Sequence, residues 1–308
     1  MYLQKQSKQI FSMIISKKIL YRKFLMPLIG FFIKNFFLSL TKKYIKSFRL
    51  NDFKGNLLIF NLINIAFYEE YFLKLKDQTE IKEIEENVFV FSKRGCIDST
   101  NYYYNNFSAK GVKKDCFEFI FNFINKHKID NILQIGSSGG GDLNNIYENY
   151  NDKKYIFTDI NEEIIKLGKE RYGDKFLYFE CFAHEIDKCL SHYNIKKNIL
   201  IFSIGSTQYV TPFRLKEFFE NLKNYKNSLA KNFEGGIYVI FIEPAELDFL
   251  KQKKIYSLRK SFAFNYKYKE FAERLGCKIK TCKIIEHHQS HKLKYFRNIA
   301  TYCISLEI

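Results

Sequence analysis

The 308-residue chain has no tryptophan, no Cys-x-x-Cys pair, and no Asp or Glu before Asp52. Its seven cysteines stand at 96, 116, 181, 189, 277, 282 and 303, an odd and scattered set. That pattern offers neither a disulfide framework nor a zinc-ligand spacing, and fits thiols kept reduced in a cytosol. No secretory leader is expected, because the first apolar stretch is broken by Lys17 and Lys18 and lacks a small-residue cleavage site. No internal repeat is evident, which excludes solenoid architectures.

The missing acids make the first sixth of the chain unusual. Residues 1–50 carry nine Lys and two Arg, so eleven of the seventeen net positive charges lie there. The abundance of Lys, Asn, Ile, Phe and Tyr fits an AT-rich coding genome, which discounts the overall charge but not its uneven placement. Within this arm, residues 24–40 are apolar apart from Lys34, Asn35 and Ser39, and Arg22-Lys23 and Lys42-Lys43 flank them. Three readings stay open: a helix packed on the main domain with its lysines reaching outward, a helix lying in a membrane interface, or a span. Residues 56–75 read as a second apolar helix, and 77–87 as a solvated segment. The tyrosine-rich stretch Asn101 to Asn106 reads as a loop, either a lid or a plain connector. Residues 1–111 are therefore assigned to a basic, apolar helical extension with a lid-like loop, and 112–308 to the principal domain.

Glycine is concentrated where the pattern turns regular. Ile132-Leu133-Gln134-Ile135-Gly136-Ser137-Ser138-Gly139-Gly140-Gly141-Asp142 passes from a short apolar strand into a helix, with four of the chain's 14 glycines between 136 and 141. Such a turn presents N–H groups to an acceptor-rich ligand. The next apolar run, Tyr155-Ile156-Phe157-Thr158, ends in Asp159, 23 residues after Gly136. A carboxylate at the tip of a second strand is placed to accept ribose hydroxyls, so the pair points to an adenosine-containing cofactor.

Periodicity extends the pattern. Phe117, Ile120, Phe121 and Ile124 form a helical stripe, and so do Leu143, Ile146, Tyr147 and Tyr150. Apolar runs at 132–136, 155–159, 176–182, 198–204 and 236–243 read as strands separated by helices. Leu215, Phe218, Phe219 and Leu222 stripe one helix, and Tyr268, Phe271, Ala272 and Leu275 another. Two closing strands near 278–286 and 296–306 should pair antiparallel. The expected fold is α/β, a doubly wound, mostly parallel seven-stranded sheet preceded by the helical extension.

With these residues placed, 112–308 resembles the class I S-adenosylmethionine-dependent methyltransferases. Gln134, Gly136, Ser138 and Gly140 stand where that family has an acid followed by alternating glycines, and Asp159 matches its second acid. Gln134 replaces the acid, so an amide oxygen would receive the methionine ammonium without a charge. Ser138 replaces the central glycine. The resemblance implies cofactor contacts at Gln134, Gly136, Ser137, Ser138, Gly140, Asp159, Ile160, Phe182, Ala183, Ser203 and Gln208. Phe182 would pack on the adenine, and the Ala183 N–H would read its edge. The segment Phe202 to Pro212 is similar to one in bacterial sugar and surface-glycan methyltransferases.

Methyl transfer to a hydroxyl needs alignment and a proton acceptor. Candidates at strand tips are His184, Glu243 and Tyr209. The loop histidines 287, 288 and 291 read as solvated, and Ser203 to Gln208 offers no carboxylate, so no catalytic metal is expected. The glycine spacing also approximates a dinucleotide fingerprint, but Ser138 stands where a pyrophosphate needs glycine. The resulting expectation is a cytoplasmic methyltransferase, peripheral to the inner membrane through residues 1–50 if the arm is interfacial. Its cofactor would be S-adenosylmethionine and its acceptor a small molecule or saccharide, methylated at oxygen in surface-glycan biosynthesis. The alternatives are a non-catalytic binding protein of the same fold and an RNA methyltransferase. Nucleic acid is disfavoured because the Asn/Asp-Pro-Pro-aromatic motif of amino-methylating relatives is missing.

Overall fold

The computed structural model describes residues 112–229, 233, 235–259, 263–286 and 299–308. The expectations for 1–111 and for the histidine loop at 287, 288 and 291 lie outside the described residues. Helix α1 (Val112–Lys126) leads into strand β1 (Asn131–Gln134), then α2 (Gly141–Asn149), β2 (Lys154–Asp159), α3 (Glu162–Tyr172) and β3 (Leu177–Glu180). Next come α4 (Ile186–His192), β4 (Ile199–Ile204), α5 (Pro212–Ser228) and β5 (Ile237–Glu246). A short helix α6 (Leu247–Leu250) precedes β6 (Tyr256–Arg259), β7 (Ala263–Tyr266), α7 (Tyr268–Arg274), β8 (Lys278–Glu286) and β9 (Ile299–Glu307).

Seven strands form one sheet in the order β3-β2-β1-β4-β5-β9-β8. The first five are mutually parallel, whereas β9 runs antiparallel to both β5 and β8. The expected mostly parallel sheet with an antiparallel finish is therefore present. Strands β1 and β4 are almost continuously buried, as a sheet covered on both faces requires. From β1 the chain moves outward to β2 and β3, then crosses back to β4 on the other side. The strand order therefore reverses between β1 and β4, and the loops leaving these two strands meet at their carboxyl ends.

The striped helices pack as their spacing predicts. Phe117, Ile120 and Ile124 of α1 are buried, and so are Leu215, Phe218, Phe219 and Leu222 of α5. Thr211 caps α5 by accepting the Arg214 N–H at 3.4 Å, and Pro212 occupies the first turn, where its missing donor is harmless. With no tryptophan, Phe and Tyr fill the core. Phe241 of β5 packs against Phe218, Phe219 and Tyr268, with ring centroids 4.8–6.0 Å apart. Buried tyrosine hydroxyls find carbonyls: Tyr225 donates to Ile195 O at 2.7 Å, and Tyr266 to Val210 O at 2.5 Å.

Two differences from expectation have physical causes. Strand β5 continues past Glu243 to Glu246, through Pro244. The last β4 pair is Ile204 with Ile242, so Pro244 lies beyond the β4 edge and needs no ladder donor there. It remains opposite Thr301 of β9. The second difference is the β6–β7 hairpin, a separate two-stranded sheet. Its four-residue strands fall outside the strand–helix alternation that made the equally short β1 and β3 readable.

Phe219 is fully buried in the aromatic layer. Phe219→Ala should cost about 3–5 kcal/mol, read as a lowered midpoint in urea unfolding followed by near-ultraviolet dichroism.

Candidate active site

The glycine turn is a narrow loop fixed to β2. Gly136 has φ +62°, and an added Cβ would lie 2.6 Å from Ser206 Oγ. Gly140 has φ +73°, and its Cβ would meet Tyr172 at 2.5 Å and Phe157 at 2.9 Å. Gly140 is thus required by close aromatic packing as well as by the turn. Ser138 also adopts a left-handed conformation, φ +48°, which costs a non-glycine residue roughly 1 kcal/mol.

Side chains hold this backbone in place. Buried Ser137 donates from Oγ to Gln134 O at 3.2 Å and accepts the Thr158 N–H at 3.1 Å. Its hydroxyl is thus engaged in joining β1 to β2. Asp159 stands at the tip of β2 with its carboxylate turned toward the turn. Oδ2 accepts the Ser138 N–H and Oδ1 the Asn161 N–H, each at 3.1 Å. The Ile160 amide is a third donor. A carboxylate has about four acceptor positions, so about one remains for an incoming hydroxyl. Burial pushes the Asp159 carboxyl up to about 6, against the pull of the three amides.

Two polar atoms beside this turn are buried without partners. Gln134, 2% exposed at the end of β1, leaves Oε1 unsatisfied. Asn161 caps α3 by accepting the Glu163 N–H at 3.1 Å, but its Nδ2 has no acceptor. An unsatisfied buried amide atom costs about 1–3 kcal/mol, a cost that a bound polar ligand can relieve.

The loop after β4 is organised by Glu243. This residue is fully buried, and Oε1 accepts from Ser203 Oγ (2.6 Å), Thr207 Oγ1 (2.7 Å), Thr207 N (3.0 Å) and Ser206 N (3.2 Å). Oε2 accepts the Gln208 N–H at 3.3 Å. Burial raises its carboxyl above the usual range while these donors pull it down. Ser206 Oγ then donates to Gly136 O at 3.1 Å, which ties this loop to the glycine turn. Glu243 therefore positions the loop, as does Ser203, whose hydroxyl also accepts the Thr207 N–H. Gln208 is buried and donates from Nε2 to Gly205 O at 2.7 Å. Tyr209 is half exposed on the same loop.

Phe182 and Ala183 lie next to Asp159, because the Cys181 N–H donates to Asp159 O at 3.0 Å. His184 follows in a one-turn helix, Ala183–Glu185, its ring 5.4 Å from that of Phe182. Its carbonyl accepts from Asn221 of α5 at 2.7 Å. Burial, helped by the Arg214 charge, depresses its imidazole to about 4, so it is neutral at physiological pH. The structure thus gathers Gln134, Gly136, Ser138, Asp159, Ile160, Phe182 and Ala183 around one rim. Ser137, Ser203 and Glu243 serve as its internal ties.

Sequence reasoning missed Ser206, Thr207 and Asn161. The only signal was a hydroxyl-rich run following a buried strand, and it does not say which carboxylate will receive it. Among the described residues no cluster of His, Cys, Asp and Glu is arranged to hold a metal, and no helix is long and apolar enough to cross a membrane.

No family model and no curated protein matches the chain. Solved structures with a similar trace exist. An O-methyltransferase from a trans-AT polyketide synthase multienzyme of Brevibacillus brevis, in complex with S-adenosylhomocysteine, is 14% identical. It aligns over 61% of this chain and 69% of its own, with a TM-score of 0.41. An S-adenosylmethionine-dependent methyltransferase of Clostridium acetobutylicum is 15% identical over 67% of this chain and 97% of its own, at 0.43. The N-methyltransferase NodS of Bradyrhizobium japonicum is 9% identical over 63% and 86%, at 0.42.

Removing Glu243 leaves several buried donors without an acceptor. Glu243→Ala should destabilise the protein by about 3–5 kcal/mol, and Glu243→Gln by less, since one amide oxygen still serves Ser203 and Thr207. Thermal unfolding of both variants measures the difference.

Proposed function

We propose that the protein is an S-adenosylmethionine-dependent methyltransferase acting at oxygen on a small-molecule or saccharide acceptor. The observation that carries this reading is the Asp159 carboxylate, aimed across the β2 tip at the glycine turn, 3.1 Å from the Ser138 amide. The residues around it fit the cofactor. The unsatisfied Gln134 Oε1 is an acceptor for the methionine ammonium. Helix α2 begins at Gly140 without a side-chain cap, and its N-terminus favours the methionine carboxylate. Asp159 accepts a ribose hydroxyl, while Ile160, Phe182 and Ala183 line the adenine side.

The bound cofactor supplies a methyl carbon already activated by a sulfonium. The chain's own part is to align the acceptor and exclude water. Glu243 serves through Ser203, Ser206 and Thr207, fixing the loop between cofactor and acceptor. Proton acceptance falls to neutral His184 or to Tyr209. His184 titrates near 4, so it is a weak base that never competes as a cation at neutral pH. A place in surface-glycan assembly at the cytoplasmic face, with residues 1–50 on the membrane, completes the proposal.

Calorimetry with S-adenosylhomocysteine tests it. Wild type should bind saturably, and Asp159→Ala should bind about 10–100-fold more weakly, the worth of a charged hydrogen bond. The ionised carboxylate is the form that accepts a hydroxyl, and it titrates at about 6. Affinity should therefore be flat above that pH and fall up to about tenfold per unit below it. The Asp159→Ala variant should lose this dependence. Folded wild type that binds no S-adenosylhomocysteine would falsify the reading.

A further inference from the structure

The β6–β7 hairpin follows β5 and therefore stands at the carboxyl end of the sheet, the end that carries the cofactor rim. It is anchored firmly. Asn265, fully buried, accepts the Glu246 N–H at 3.0 Å and donates to Glu246 Oε2 at 3.2 Å and Ser257 Oγ at 3.3 Å. Tyr266, also fully buried, donates to Val210 O at 2.5 Å, so the hairpin is tied to the loop that carries Tyr209. Below it, the Tyr268 hydroxyl meets Thr207 Oγ1 at 3.2 Å.

What this anchored element presents is unusual in two respects. First, Tyr209 and Tyr256 are 50% and 42% exposed, and two of the three large apolar side chains exposed among the described residues are these. Both adjoin Tyr266: Tyr209 through the neighbouring Val210, and Tyr256 with its ring centroid 6.4 Å away. Second, among its described side chains are Lys251, Lys253, Lys254, Lys267 and Lys269, and no Asp or Glu occurs in the sequence from Phe249 to Lys269. Lys251 pairs with Asp248 at 3.8 Å, and Lys267 donates to Gln252 O. Lys253 and Lys254 are exposed and have no carboxylate partner among the described residues.

We propose that this rim is the acceptor platform and that the acceptor is an acidic saccharide, a sugar ring bearing a phosphate or a carboxylate. The inference rests on the methyl-transfer reading and adds the acceptor's charge to it. An exposed tyrosine face suits the apolar face of a pyranose. Lys253 and Lys254, two and three residues before Tyr256 and without a carboxylate partner among the described residues, suit an anion, and as flexible point charges they favour no single geometry, so phosphate and carboxylate both satisfy them. Two exposed rings with this lysine pair suit one or two sugar units. A nucleic-acid strand needs a longer track of stacking rings and charge.

Saturation-transfer NMR on the full chain tests this with glucose 6-phosphate, glucuronate and glucose as probes. Either charged sugar, or both, should receive saturation at least roughly fivefold more strongly than glucose, and added salt should weaken it. Which charged sugar binds better identifies the anion. Lys253→Glu combined with Lys254→Glu should cut that signal roughly fivefold, and Tyr256→Ala should also lower it. S-adenosylhomocysteine affinity should be unchanged in both variants. Equal saturation by glucose, or no effect of the charge reversal, overturns the inference. Displacement of glucose 6-phosphate by a short single-stranded RNA also overturns it, in favour of nucleic acid. If S-adenosylhomocysteine binds while the sugars do not, only the acceptor assignment fails. If it does not bind, the methyl-transfer reading fails first.

Discussion

The contact between the Asp159 carboxylate and the Ser138 amide fixes the geometry on which the site depends. Ser138 lies in a left-handed conformation that a residue with a Cβ adopts only at some cost. The carboxylate offsets that cost by holding the amide at 3.1 Å. The same carboxylate holds the amide of Asn161, so one acid joins the glycine turn to the start of α3. Burial makes its ionised form expensive, and it stays near 6 only because those amides face it. A group held in this way is preorganised for donors and sensitive to pH over a range cells visit.

A second carboxylate works by the opposite logic. Glu243 has no exposed surface, and its named donors are Ser203 near the end of β4 and Ser206, Thr207 and Gln208 of the loop that follows. Through Ser206 it fixes the distance between that loop and Gly136. One acid thus keeps an acceptor position beyond its backbone donors, whereas the other is consumed by the fold. The unsatisfied Gln134 oxygen lies between the two acids in the strand order, on β1 between β2 and β4.

Much of this was legible in the residues. Near-continuous apolar runs at β1 and β4 announced a doubly covered parallel sheet, and the glycine cluster and Asp159 meet at its carboxyl end. The roles of individual side chains were less visible. Glu243 reads in sequence as an acid at a strand tip, and only the register of β4 on β5 places Ser203 beside it. Ser137 reads as part of a ligand loop, yet its hydroxyl bonds within the protein. The hairpin was invisible because it falls outside the strand–helix alternation that made the equally short β1 and β3 readable, and its anchors, Asn265 and Tyr266, act through contacts distant in sequence. Local pattern fixes elements, whereas buried hydrogen bonds are set by which elements become neighbours.

The central proposal is that a nucleoside lies against the glycine turn and places a ribose hydroxyl on the acceptor position that Asp159 keeps beyond its backbone donors. Amide hydrogen exchange of the full chain, followed by mass spectrometry with and without S-adenosylhomocysteine, measures this most directly. Slowed exchange in the segments spanning 134–142 and 158–163 is the predicted result, because the ligand covers the amides of that turn and strand tip. Protection confined to other segments, or none at saturating ligand, would contradict the account.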